Sequence, residues 1–142
     1  MATSTNTKKR TSTSTLPRVA ANEMGKLPPQ ALELEESVLG ALLIEKDAFA
    51  TIADLLRPES FYSVQHSVIF EAIRSLAAKD APIDILSVVE QLRSSGDLEK
   101  AGGVVYLSEL TRRVASAAHL RYHAQIVAQK STARDLISMA CQ

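Results

Sequence analysis

Residues 31–44 read Ala31-Leu32-Glu33-Leu34-Glu35-Glu36-Ser37-Val38-Leu39-Gly40-Ala41-Leu42-Leu43-Ile44, and this stretch decides the fold class. Its apolar residues recur at helical spacing and never alternate strictly. Leu32, Leu39 and Leu43 share one face, with Leu34, Val38 and Ala41 beside it. Glu33, Glu35 and Glu36 fall in the first turns of a helix running from Ala31 to Ile44, where negative charge complements the positive helix end. Pro28-Pro29 marks the boundary before it, since proline disfavours helix in the preceding residue but fits a first turn. Gly40 stands in mid-helix at a cost of about 1 kcal/mol relative to alanine. A close approach by another helix accounts for it, with no ligand required.

The same periodicity continues downstream. Asp47 is the expected N-cap of a second helix whose buried face is Phe49, Ile52, Ala53 and Leu56, ended by Pro58. Phe61-Tyr62 leads into a third, from about Ser63 to Lys79, striped by Ile69, Phe70, Ile73, Leu76 and Ala77. Asp84 caps a fourth, with Ile83 positioned to staple onto Val88, a face of Ile85, Val88, Val89 and Leu92, and Gly96 as the stop. Gly102-Gly103 opens a fifth through Tyr106, Leu107 and Leu110, and a loop around Val114–Ser116 precedes the last. No segment alternates over enough residues to make a strand.

From Ala118 the chain reads as one long helix to Gln142, with no glycine, proline or capping residue to close it. Tyr122, Ile126, Gln129, Ala133, Leu136 and Ala140 are spaced 4, 3, 4, 3 and 4, a heptad seam that Leu120, Val127 and Ile137 widen. Packing on the body of its own domain and contact with a second subunit both account for such a face. A helix left uncapped in this way is expected to be frayed, truncated or continued elsewhere. The class is therefore all-α: a compact bundle of five to six helices with a long C-terminal helix, over residues 28–142.

Residues 1–27 stand apart. They are rich in Ser and Thr, lack apolar periodicity, and are expected to form a disordered tail. The formal net charge of zero conceals a polarised chain: +4 over residues 1–27, −8 over 28–109 and +4 over 110–142. The Lys8-Lys9-Arg10 run is explained more simply as a solvated charged tail than as a nucleic-acid contact. Arg112, Arg113, Arg121, Lys130 and Arg134 form the one folded region with a basic balance. They lack interleaved aromatics and a recognition helix, so pairing with the acidic surface of a neighbouring copy suits them better than tracking a phosphate backbone.

Chemistry-bearing patterns are sparse. There is no GxxxxGK[ST] phosphate loop, and Gly102-Gly103 follows no strand. Cys141, the single cysteine, excludes an internal disulfide and a CxxC zinc pair. His119 and His123 share a helix face at i, i+4 but lack the further ligands zinc requires. His66 reads as a satisfied packing histidine. Glu35 and Glu36 are consecutive on a helix and so diverge. No catalytic, cofactor or metal site is expected, nor a membrane span or secretory signal, since apolar runs are a few residues long.

The order of these segments resembles the N-terminal domain of bacterial replicative DNA helicases of the DnaB family. The likeness begins with Pro28-Pro29-Gln30-Ala31-Leu32-Glu33-Leu34-Glu35-Glu36-Ser37-Val38-Leu39-Gly40-Ala41-Leu42-Leu43. It continues through Phe61-Tyr62, His66, Ile69-Phe70-Glu71-Ala72 and Pro82-Ile83-Asp84. It ends with Gly102-Gly103, Tyr106-Leu107, Leu110, Ser116-Ala117-Ala118, Tyr122, Ile126-Val127 and Arg134. The resemblance implies a part of a hexameric ring that unwinds DNA with ATP and Mg bound in a separate RecA-like motor domain. In that family the N-terminal domains form a helical collar, which supports assembly and docks the DnaG primase. The terminal helix leads into a hairpin used in subunit pairing.

For this chain the resemblance implies a non-catalytic assembly and docking domain of a cytoplasmic replication protein, with the rest of the hairpin, a linker and the motor lying beyond Gln142. Its partners would be further copies of itself, a DnaG-type primase, a helicase loader, and DNA through the parent assembly. The residues assigned to a subunit or partner interface are Leu120, Arg121, Tyr122, Ile126, Val127, Lys130, Ala133, Arg134, Leu136 and Ile137. Two other readings stay open: a free-standing helical adaptor or nucleic-acid-associated protein using the basic tail, and a metal enzyme using His119 and His123.

Overall fold

The computed structural model describes residues 29–114 and 116–140. The tail expected over residues 1–27 and the cysteine at 141 lie outside them. Among the described residues there are six α-helices, one 3-10 turn and no strand. They are α1 (Pro29–Ile44), α2 (Ala48–Ile52), the 3-10 turn Pro58–Ser60, α3 (Val64–Ala78), α4 (Ile85–Ser95), α5 (Gly103–Arg113) and α6 (Leu120–Ala140). The fold is all-α, as the periodicity predicts.

α1 is the axis of the bundle and packs against α2, α3, α5 and α6. Val38, Leu39, Ala41, Leu42 and Leu43 are all buried, so the single face read from the sequence understates it. A stretch apolar on every side belongs inside, and α1 is surrounded from Val38 to Leu43. Ile69, Phe70, Ile73 and Leu76 from α3 and Leu107 and Leu110 from α5 join the same core, and Val88 and Leu92 bring in α4, which packs on α3 and α5. Phe70 anchors the far side, with its ring centroid 5.7 Å from that of Phe49 and 5.0 Å from that of Phe61. Aromatic pairs at such separations add to the area they bury.

The helix ends show where local chemistry held. Ser63 caps α3 by accepting a hydrogen bond from the His66 amide, and Asp84 caps α4 through its Oδ1, 2.8 Å from Ser87 N. Gly96 ends α4 with φ 78°, a left-handed conformation that glycine adopts without a Cβ penalty. Asp47 departs from expectation. It has φ 65° and makes no capping bond; it turns the chain between α1 and α2, and α2 stops at Ile52, well before Pro58. α1 also begins at Pro29, so Glu33, Glu35 and Glu36 lie past its first turn and complement no helix end.

Gly40 is explained by the structure. A Cβ there would lie 2.5 Å from Val114 Cγ2 and closer still to the carbonyl oxygen of Leu110. α1 and α5 cross at this residue, as the mid-helix glycine predicts.

Candidate functional site

The terminal helix presents two different faces. Leu120, Ala124 and Val127 enter the core with 5%, 0% and 2% exposure. Leu120 and Val127, placed at an interface by the sequence reading, are therefore committed to their own domain. The heptad seam turns the other way. At about 100° per residue, the nine steps from Ala124 to Ala133 place them on opposite sides of the helix. Tyr122 and Leu136 are each 62% exposed and Ile137 is 58% exposed. Gln129, Ala133 and Ala140 are exposed as well, while Ile126 and Lys130 sit half-buried at the edge between the faces. One stripe packs on the domain body, and a separate one is left to solvent.

The basic residues near the seam are engaged with their own chain. Arg121 donates to Asp54 Oδ1 at 3.4 Å and to the Thr51 carbonyl, which holds the Asp54 carboxyl below the usual carboxylate range. Arg134 Nη2 donates to the Ser60 carbonyl at 3.0 Å, and its guanidinium carbon lies 5.5 Å from the centre of the Tyr62 ring. Arg113 reaches Glu36 at 2.6 Å, and Arg112 pairs with Glu109. Arg113, Arg121 and Arg134 thus fasten α5 and α6 onto the domain, neutralising part of its acidic middle from within, while Arg112 pairs only inside α5.

A second feature is a buried polar chain that links α1, α3 and α5. Glu35 is 2% exposed and accepts from Tyr62 N at 2.7 Å, Ser63 N at 3.4 Å and His66 Nδ1 at 2.7 Å. His66 Nε2 lies 2.6 Å from the Tyr106 hydroxyl, which is 3.1 Å from Glu36 Oε2, and Arg113 closes the run. The packing histidine is thus satisfied at both nitrogens. The two carboxylates do diverge as consecutive helical residues must, yet His66 and Tyr106 join them into one network. A sequence signal was available: Glu35 lies at i+3 from Leu32 and i−4 from Leu39, inside the apolar stripe. A carboxylate at that position needs buried donors, because an unpaired one is costly there.

Burial, and then the neighbouring Glu36 charge, push the Tyr106 phenol above the ordinary tyrosine value of 10.0. Its protonated form is the one the fold favours. Stability from this source is therefore complete below about pH 10 and is lost as pH rises beyond it. Urea unfolding between about pH 8 and pH 11 is expected to show this alkaline decline, and Tyr106→Phe to remove its tyrosine component. At neutral pH the same variant should lose about 1–2 kcal/mol with its hydrogen bonds.

The His119 and His123 rings lie 6.2 Å apart. Among the described residues, no group of three or more His, Cys, Asp or Glu side chains is gathered that could hold a metal ion. No helix of the described residues is long and apolar enough to cross a membrane.

Comparison with known proteins places this arrangement. The model of the DnaB-like helicase N-terminal domain matches residues 27–129. The chain belongs to the DnaB-like helicase N-terminal domain family. It is 52% identical over 108 residues to the replicative DNA helicase DnaB of Rhodothermus marinus, covering 76% of this chain and 12% of that protein. It is 42% identical over 115 residues to DnaB of Geobacillus stearothermophilus, covering 81% of this chain and 25% of the relative. This DnaB-like domain therefore spans a quarter or less of these helicases.

Among solved structures it is similar to the N-terminal domain of DnaB helicase from Mycobacterium tuberculosis, with a TM-score of 0.76, 39% identity, and 80% and 81% of the two chains covered. It is also similar to a DnaB-like replicative helicase described with its interactions with primase, at a TM-score of 0.66 and 32% identity, covering 77% of this chain and 25% of that one.

Proposed function

We propose that this domain is the assembly and docking part of a replicative DNA helicase, joining copies of itself through the outer face of α6. The carrying observation is the heptad seam that faces away from the domain core, with Tyr122, Leu136 and Ile137 more than half exposed. Exposed apolar side chains repeating along one helix face match the demands of a helix–helix contact. Ala133 and Ala140 on the same face allow close approach. The interface set from the sequence narrows to Tyr122, Ile126, Ala133, Leu136 and Ile137, with Lys130 at the edge.

The chemistry of the whole protein follows from the family and not from this domain. The parent would unwind DNA with ATP and Mg held in a separate motor, in the cytoplasm of a bacterium. A DnaG-type primase is the docking partner this reading names; a solved DnaB-like replicative helicase is described with its interactions with primase. A helicase loader and DNA would engage through the assembled parent.

Analytical ultracentrifugation tests the self-association. Wild-type chain is expected to gain mass with concentration up to tens of micromolar, roughly the range of modest interfaces. Leu136→Asp should stay monomeric and keep its melting temperature, since Leu136 is 62% exposed. Wild type that stays monomeric throughout, or Leu136→Asp that associates equally well, would overturn the seam as the interface.

A further inference from the structure

One groove is not accounted for by the α6 interface. It lies between the α1–α2 corner and the α3–α4 connection and encloses about 820 Å³. Leu42, Leu43, Ala48 and Phe49 line its apolar side. Its rim carries Glu45, Asp47, Asp80 and Asp84, with Lys46 as the single cation among the lining residues. The rim is thus strongly acidic around an apolar floor. Such a site suits an occupant with cationic side chains on either side of a small aliphatic anchor.

The chain contains a matching segment. Residues 8–19 carry Lys8, Lys9, Arg10 and Arg18 with no acidic residue among them, and Leu16 and Val19 flank Arg18. The folded arginines are poor competitors, because Arg112, Arg113, Arg121 and Arg134 already bond within the domain. Reach is sufficient. α1 has 16 residues and so is about 24 Å long, and its far end borders the groove. The eleven residue steps from Pro29 back to Arg18 span up to about 36 Å when extended. Tethering also raises the effective concentration into the millimolar range, so a weak site is occupied in cis. We propose that the groove between the α1–α2 corner and the α3–α4 connection docks the chain's own basic segment, residues 8–19. This occupancy is independent of the α6 interface and would hold whether or not that interface forms.

The test uses the full chain. Cys141→Ser with Ser14→Cys provides one site for a nitroxide label. Amide signals of Ala48, Ala50 and Ala81 are expected to be lost in the labelled chain at about 10 mM salt and restored at about 0.5 M, where screening is short-ranged. The combined change Glu45→Gln, Asp47→Asn and Asp80→Asn should restore them at low salt. Asn tolerates the left-handed backbone found at Asp47 and Asp80, so the fold is kept. Replacing Lys8, Lys9, Arg10 and Arg18 by Gln should do the same without touching the folded residues. No loss at the groove, or equal loss at distant acidic sites such as Glu90 and Glu109, overturns the proposal. Loss that appears only between a spin-labelled copy and a separate isotope-labelled copy makes a second chain the occupant and overturns it as well.

Discussion

Glu35→Ala is expected to cost about 3 kcal/mol of unfolding free energy, the scale for stripping the acceptor from several buried hydrogen-bond donors. The side chains of Glu35 and His66 are each 3% exposed, so water cannot replace the missing carboxylate. The loss is threefold in kind. His66 Nδ1 loses its partner, and the amides of Tyr62 and Ser63 lose the acceptor that orders the entry to α3. A buried donor left without an acceptor pays its full desolvation cost. Urea unfolding of Glu35→Ala, His66→Ala and the double variant closes a cycle; strong coupling between the two is the expected result. Additive losses would show that the network is not a unit. The exposed Glu71–Arg74 pair is the natural contrast, since its side chains are 46% and 52% exposed. Breaking it by Glu71→Ala should change stability by less than about 1 kcal/mol.

Gly40→Ala is the second large effect, and its sign runs against helix propensity. In an open helix this change would gain about 1 kcal/mol. Here the new methyl would meet the Leu110 carbonyl and Val114 Cγ2, and the carbonyl belongs to the α5 backbone and cannot rotate aside. Overpacking of this kind costs about 1–3 kcal/mol and occasionally more. Set against the propensity gain, a net loss of about 2 kcal/mol is expected, seen as a fall of roughly 10 °C in melting temperature. The opened α1–α5 crossing also carries the Glu36–Arg113 bond, whereas the Glu35 contacts tie α1 to α3, so the two large effects act on different faces of α1. A Gly40→Ala chain as stable as wild type would mean that α5 can shift without loss.

The helices were legible because their signals are local. Ser63, Asp84 and Gly96 act within a turn of their own positions, and the apolar stripes of α3 and α4 follow one face. Asp47 was misread because an aspartate favours both a helix cap and a left-handed turn, and only the path between α1 and α2 decides which. Leu120 and Val127 show a related limit. A heptad pattern marks apolar residues without saying which stripe the body covers, and here two stripes share one helix. Glu35 and Glu36 were the hardest. Their partners come from residues 27 to 77 positions away, so only the packing of α1 against α3 and α5 reveals that adjacent carboxylates belong to one network.

α6 also has an uneven hold along its length. Arg134 is its last bond to the domain body among the described residues, and each position from Asp135 to Ala140 is exposed. Order in that final stretch is not enforced by the core, so a partner settling on Leu136 and Ile137 must also meet part of its conformational entropy, about 1–2 kcal/mol for each residue fixed. Much of the attraction at this surface would be consumed in straightening the helix. An interface on that stretch would carry this ordering cost on top of its apolar contacts, so its strength would depend on how firmly the helix end is held.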